Sequence, residues 1–402
     1  MVASELFDAT AINRGVTMKV RIKAEVSAIM KELENIRDYI YDNPEEGYKE
    51  IKASTILAES LTKHGFTVDK GIFGMDTAFR GTYESGKKGP KIAFLCEYDA
   101  LPGIGHGCGH NLIATIGLGA GIALKSIIKD IGGSIIVLGT PAEETSGAKV
   151  QMTRNGAFEG VAAAMMVHPS PITEESGHSL ALSALEFEFT GKAAHAAQAP
   201  EKGINALDAV ILLFNGINAL RQHVTSDVRM HGIITEGGLA PNIVPERAVA
   251  KFYIRAATVE KKEEVMKKVI AIAQGSAEMT GAQVIISNFE ESYDDMKTNK
   301  TISELFNANL LELGEEEIRP GGDSLGSIDM GNVSQVVPSI HPWLGFGDKN
   351  LVTHTREFAE TTITQKGNQV LYRGACAMAM TAYDIIISNE VQEEIKKEFD
   401  TK

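Results

Sequence analysis

The sequence predicts an α/β protein: a mostly parallel mixed sheet flanked by helices, interrupted by an inserted ferredoxin-like α+β unit. Three observations predict it. Continuous apolar runs at Lys91–Cys96, Gly133–Leu138 and Val161–Val167 have the character of strands covered on both faces. Helical periodicity separates them, at Leu112–Lys129 and more briefly at Ala148–Arg154, so the order is βαβαβ. After about Ser179 the order changes to βαββαβ, that of a ferredoxin-like unit.

The elements follow in order. Val20–Tyr41 reads as an amphipathic helix, with Val26, Ile29, Met30, Leu33 and Ile36 on helical spacing, and Asn43-Pro44 breaks it. Ile51–His64 reads as a second helix ending near Gly65. In the inserted unit, Leu180–Thr190, Arg229–Thr235, Arg247–Ala256 and Ala282–Phe289 read as strands. Ile204–Val224 and Val259–Met279 read as helices. A helix resumes at Asn299, and the last runs from about Gly367 to Ile387. The expected division is one discontinuous domain, 1–178 and 295–402, with 179–294 inserted in it.

Composition narrows the function. The chain has 402 residues, 44% hydrophobic and 23% charged, as expected of a globular enzyme of two or three domains. A net charge of -14 disfavours nucleic acid and anionic membrane surfaces as partners. Only Cys96, Cys108 and Cys376 are present, which argues against a disulfide framework. The N-terminal stretch lacks a signal-peptide core, and apolar runs such as Ile135–Leu138 are too short to span a bilayer. The expected location is the cytoplasm.

Each buried-strand candidate runs into a polar cluster. The first leads to Glu97-Tyr98-Asp99 and His106-Gly-Cys108-Gly-His110, the second to Glu143-Glu144, the third to His168. Open α/β sheets bind ligands beyond the carboxyl ends of their strands. Singly, each cluster has a plain alternative: a buried thiol with a loop histidine, a solvated acid pair, a core histidine. Together they are ligands for a borderline-soft divalent cation, gathered at three strand ends.

Two other motifs are weaker. Gly117-Leu-Gly119-Ala-Gly121 lacks dinucleotide-binding spacing and lies inside a helix, which reads as packing. Gly322-Asp323-Ser324-Leu325 looks like the nucleophile block of GDSL-type serine esterases. It stands late in the chain, and His354 has Leu351 rather than aspartate three residues before it. An esterase using Ser324 is therefore the alternative reading, and a catalytically idle partner subunit a third.

An ordered set of motifs resembles the dinuclear-zinc aminoacylase and carboxypeptidase family. It comprises Asn43-Pro-Glu-Glu-Gly47, Asp99-Ala-Leu-Pro102, Gly107-Cys-Gly-His-Asn111, Pro141-Ala-Glu-Glu144, Val167-His-Pro169 and Ala194-His195. It continues through Gly203-Ile-Asn-Ala206, Ala240-Pro-Asn-Ile-Val-Pro245, Asp329-Met-Gly-Asn332 and His354-Thr355. Asn111, where hippuricase-like members carry aspartate, places the resemblance nearest the aminobenzoyl-glutamate hydrolase and dipeptidase-like branch.

The resemblance implies a zinc-peptidase-like fold and hydrolysis of amide bonds in dipeptides or N-acyl amino acids. It implies two divalent metal ions per chain, Zn2+ first and Mn2+ or Co2+ as alternatives. Cys108 would bridge them, with His110, Glu144, His168 and His354 completing the ligand set. Glu143 would be the general base, His195 would approach the reacting carbonyl in its own or a partner subunit's site, and Asn242 would help bind substrate. The inserted unit would be a lid and dimerisation surface, making a homodimer or higher homo-oligomer. One departure stands out. Many members carry a ligating histidine where this chain has Glu97, which leaves Glu97 and Asp99 as supports behind the ligands. Arg229, Arg247 and Arg255 could meet a substrate carboxylate, but solvated strand-edge arginines are the default.

The residue types suit the reaction. Metal coordination lowers the pKa of water from about 15.7 to about 7. Of two adjacent carboxylates, one can bind metal while its neighbour moves the proton. A histidine donating to the tetrahedral oxygen is worth on the order of 3 kcal/mol at other oxyanion sites.

Overall fold

The computed structural model describes residues 2–322 and 326–401, with side chains from Thr17 onward. The chain folds as two compact units. The larger holds 2–178, 297–322 and 332–401 among the described residues; the smaller holds 179–296 and 326–331.

In the larger unit, helices α1 (Val2–Asp42) and α2 (Ile51–Lys63) precede strands β1 (Thr67–Lys70), β2 (Phe79–Glu84) and β3 (Lys91–Cys96). Then come α3 (His110–Ile131), β4 (Ser134–Gly139), α4 (Ala148–Arg154), β5 (Ala163–Met165) and β6 (His168–Ser170). The sheet has six strands in the order β1-β2-β4-β3-β5-β11, where β11 is Ser339–Ile340. Strands β3, β4, β5 and β11 pair in parallel, while β1 and β2 add an antiparallel edge. Buried on both faces, β3 and β4 show why their sequences are continuous rather than alternating.

Two expectations need correction here. Helix α1 begins far earlier than Val20, continuing as helix from Val2. The third apolar run is not one strand. It ends at Met165, and the chain re-forms as β6, paired in parallel with β12 (Trp343–Gly345), so His168 opens a second short strand.

Helix α3 packs beneath the sheet because its glycines let it approach. A Cβ at Gly117 would lie 2.7 Å from both Cys96 Sγ and the Leu95 carbonyl oxygen. Against α3 lie α1, through Ile22, Val26, Leu33 and Ile40, and α10 (Gln365–Ile387). By length and composition α3 and α10 could cross a membrane, which corrects the expectation that no apolar run is long enough. Their most apolar windows are 89% and 78% buried within the protein, so they pack as core helices. Helices α7 (Lys300–Glu312), α9 (Arg356–Thr361) and α11 (Asn389–Asp400) complete this unit; the short α8 (Met330–Ser334) falls at the division between the units.

The smaller unit runs β7 (Ala181–Thr190), α5 (Ala206–Leu220), β8 (Arg229–Glu236), β9 (Arg247–Ala256), α6 (Val259–Thr280) and β10 (Gln283–Asn288). Its antiparallel sheet has the order β10-β7-β9-β8. Phe187, Phe189 and Phe252 pack with Leu213, Val265 and Val269 into a separate core. Asn205 and Thr258 cap the two helices by accepting hydrogen bonds from backbone N–H groups of their first turns.

Candidate metal centre

The centre is built beyond the carboxyl ends of β3, β4 and β5, with His168 opening β6 just after β5. Beyond β3 the chain places Glu97 and Asp99, turns through a glycine-rich loop, and starts α3 at His110. Gly109 precedes it at φ 80°, where an added Cβ would meet Pro169 Cγ at 2.5 Å. Only glycine fits this approach between the first and third strand ends. Beyond β4, Ala142 adopts φ 59°, an unusual conformation for a non-glycine residue that costs about 1–2 kcal/mol.

Asp99 organises the ligands. One carboxylate oxygen lies 2.9 Å from His110 Nδ1, and the other accepts from the Glu144 N–H at 2.9 Å. The carbonyl of Asp99 also lies 2.9 Å from His110 Nδ1. The ring therefore carries its proton on Nδ1 and presents Nε2 to the cavity. His168 Nδ1 is likewise engaged, by the Pro169 carbonyl at 2.7 Å.

His110 Nε2 faces Glu97 Oε2 at 3.5 Å, Glu144 Oε1 at 3.8 Å and Glu143 Oε2 at 4.0 Å. His354 Nε2 lies 4.0 Å from the same Glu144 oxygen. Ligand atoms of Cys108, His110 and His168 lie within 4.8 Å of one another, as do those of Cys108, Glu144 and His354. His110, Glu143 and Glu144 form a third such group. Cys108 is common to the first two. Buried His110 Nε2, Glu144 Oε1 and Glu97 Oε2 have no hydrogen-bond partner among the described residues.

These atoms fit cations. Two ligands about 2.1 Å from one zinc ion at a tetrahedral angle stand about 3.4 Å apart, which is too far to hydrogen-bond well and close to the spacings seen here. Buried polar atoms without partners cost about 1–3 kcal/mol each, a penalty that coordination removes.

The electrostatics ask for positive charge. Burial alone would lower His110, but Asp99, Cys108 and Glu97 hold it well above its ordinary value. Burial pushes the Cys108 thiol up to about 12, His110 opposing it. Only a strong local cation would make it a thiolate at neutral pH. His168 is held well below its usual value by burial, then by His341 and His110, so it is neutral, as a ligand must be.

Some neighbours were not foreseen. Lys149, fully buried on α4, lies 2.6 Å from Glu97. Its sequence signal is a lone lysine in an apolar turn just past the acid pair. His341 is buried beside His168, with ring centroids 5.6 Å apart. Glu50 accepts from the Ala142 N–H at 2.9 Å.

His195 and Asn242 belong to the smaller unit, where the structure brings them together: the Ala196 N–H donates to the Asn242 carbonyl at 3.0 Å. His195 Nδ1 accepts from the N–H groups of Ala197 and Gln198, both at 3.2 Å, which leaves the ring proton on Nε2. Arg247 pairs with Glu188 and Glu236, and Arg229 with backbone carbonyls. Arg255 donates to Ser327 at 2.9 Å. Ser324 lies outside the described residues.

A strand-end cluster of thiol, imidazole and carboxylate on this α/β scaffold defines a metallohydrolase of the M20 peptidase family, and the chain belongs to that family. The family profile described as "Peptidase dimerisation domain" matches residues 181–278. The Xaa-Arg dipeptidase of Mus musculus is 35% identical, over 96% of this chain and 93% of that protein. A subunit of the Escherichia coli (strain K12) p-aminobenzoyl-glutamate hydrolase is 34% identical, over 70% of this chain and 63% of that one. Among solved structures, a Bacillus subtilis dinuclear metal-binding peptidase of the M20 family shares the fold at TM-score 0.67 and 19% identity, over 90% of this chain and 100% of that one. The protein is thus a metal-dependent amide hydrolase, which displaces the serine-esterase and idle-subunit alternatives.

Proposed function

We propose that this chain splits the amide bond of dipeptides or N-acyl amino acids using two divalent ions held by Cys108, His110, Glu144, His168 and His354. One observation carries the reading: two ligand triads share Cys108 Sγ, and buried His110 Nε2 and Glu144 Oε1 lack hydrogen-bond partners among the described residues. Zinc is the first choice because a thiolate and three imidazoles suit it; manganese and cobalt are the alternatives. When bound, the ions would acidify water and polarise the scissile carbonyl.

The chain's own groups do the rest. Glu143, beside the ligand Glu144, takes a proton from the attacking water and delivers it to the leaving amine nitrogen as the C–N bond breaks. Asp99 keeps His110 and Glu144 aligned. His195, with its proton on Nε2, is suited to donate to the tetrahedral oxygen, in its own or a partner subunit's site. Asn242 beside it would contact substrate. Residues 1–178 and 295–402 form the catalytic domain in this reading, and 179–294 the lid and homodimer surface. The free thiols of Cys96, Cys108 and Cys376 agree with a reducing, cytoplasmic setting.

The test combines elemental analysis with turnover of dipeptides ending in arginine, N-acetyl and N-benzoyl amino acids, and p-aminobenzoyl-glutamate. Two ions per chain and chelator-sensitive cleavage are expected. Glu143→Gln should keep its ions and lose turnover. Full activity in that variant removes the proposed base.

A further inference from the structure

Two side chains outside the loop carrying Glu143 and Glu144 bond to its backbone. Asp99 holds the Glu144 N–H. The other tie is Glu50, the residue before α2, which is fully enclosed. Its Oε1 accepts from the Ala142 N–H at 2.9 Å, and its Oε2 accepts from Thr77 Oγ1 at 2.9 Å. Thr77 is fixed in turn, its carbonyl accepting from the buried Tyr98 hydroxyl at 2.6 Å.

Ala142 sits in the left-handed region, which alanine adopts reluctantly. Such backbone persists only where its surroundings over-determine it. The segment before α2 supplies those surroundings. The Glu45 carbonyl accepts from the Ala100 N–H at 2.8 Å, and Gly47 lies so near the loop that a Cβ would strike Thr145 Oγ1 and Ala142 Cβ.

We propose that Glu50 is a positioning residue for amide hydrolysis: its buried carboxylate holds Ala142 left-handed and so aims the adjacent Glu143 at the reacting atoms. This rests on the reading of Glu143 as the base. The conformation at Ala142 sets the peptide plane entering Glu143, and hence the direction of that side chain. Glu144 is anchored separately by Asp99, so releasing Glu50 disturbs the base more than the ligand. Chemistry and metal binding then respond differently to the same substitution.

The experiment measures kcat, KM and ion content of the metal-loaded full chain for four variants beside Glu143→Gln. Glu50→Ala should lower kcat about ten- to hundredfold, with KM within about threefold and the ions retained. Glu50→Gln should stay within about threefold of wild type, because its amide oxygen still accepts from the Ala142 N–H and the Thr77 hydroxyl can turn to accept. Glycine takes positive φ without strain, so Glu50→Ala combined with Ala142→Gly should regain at least about threefold of the lost rate. If Glu50→Ala does not fold, Glu50→Asp decides. It keeps the carboxyl group but withdraws the oxygens by one carbon–carbon bond, and it should lose kcat as Glu50→Ala would.

Wild-type kcat in Glu50→Ala or Glu50→Asp overturns the proposal. So does a loss of rate that tracks loss of ions, or a double variant that regains nothing. An active Glu143→Gln instead removes the underlying assignment of the base. An inactive Glu143→Gln beside a fully active Glu50→Ala removes only the role of Glu50.

Discussion

The ammonium of Lys149 lies 2.6 Å from Glu97 Oε1, and both side chains are sealed from solvent at the end of β3. Here an ion pair stands behind the ligands, at the position where the resemblance leads one to expect a ligating histidine in many members. A buried pair is costly to break from one side, because the remaining charge has no water to turn to. Lys149→Met should therefore destabilise the metal-free protein by about 3–5 kcal/mol in denaturant titration. Adding Glu97→Gln should recover most of that loss, since the orphaned charge is gone. Equal destabilisation by the single and double variants would show that the two groups are not coupled.

Asp99 touches two ligands at once, through His110 Nδ1 and the Glu144 N–H. Groups of this kind typically contribute ten- to hundredfold to metal affinity. Asp99→Ala should weaken the tighter-binding ion by about that factor in calorimetry. Its far-ultraviolet circular dichroism should match wild type. Unchanged affinity would mean that the ligands are oriented without it.

Much of this was legible in the sequence, for identifiable reasons. Strands β3 and β4 are buried on both faces, so their apolar runs carry an unbroken signal. Cys108, His110, Glu144 and His168 then follow strand ends, and the topology gathers them. Strands β6 and β12, of three residues each, are too short for any period to register. Edge strand β1 is largely exposed and polar, so hydrophobicity does not mark it. Glu50 and Lys149 were invisible for another reason. Their partners lie 92 and 52 residues away, at Ala142 and Glu97, and nothing local announces such a pairing. His354 came only from the family pattern; what holds it, positive φ and an N–H bonded to the Gly107 carbonyl, is tertiary.

Glu50 also predicts a pH dependence. Burial raises its pKa to about 7, against about 4.3 in an unfolded chain. The folded state keeps a proton that the unfolded state releases between those values, so this group's contribution falls as pH rises from about 4.3 to about 7. The full effect is on the order of 4 kcal/mol. His106 and His341, which burial pushes down to about 4, act in the opposite sense: their contribution is lost as pH falls from about 6.5 towards 4. Comparison with Glu50→Gln cancels those histidines. The chelated variant should gain on wild type by about 2–3 kcal/mol between pH 5 and pH 8. A stability gap that does not move with pH would rule out a proton on Glu50.

Gly109 joins two strand ends, and its substitution should show how tightly they are held. At φ 80° a side chain is strained, and a Cβ would press to 2.5 Å from Pro169 Cγ, next to His168. Positive φ costs an alanine about 1–2 kcal/mol, and overpacking adds about 1–3. Proline cannot yield by rotating a side chain, so the strain must move the backbone that carries His110 or His168. Gly109→Ala should lose about 2–5 kcal/mol of stability in the metal-free state. It should also bind its ions more weakly in calorimetry, because His110 and His168 both belong with Cys108 to one ligand triad. A variant destabilised to that extent but with wild-type metal affinity would mean that the strain is absorbed away from the ligands, and the link between this glycine and the metal centre would fail.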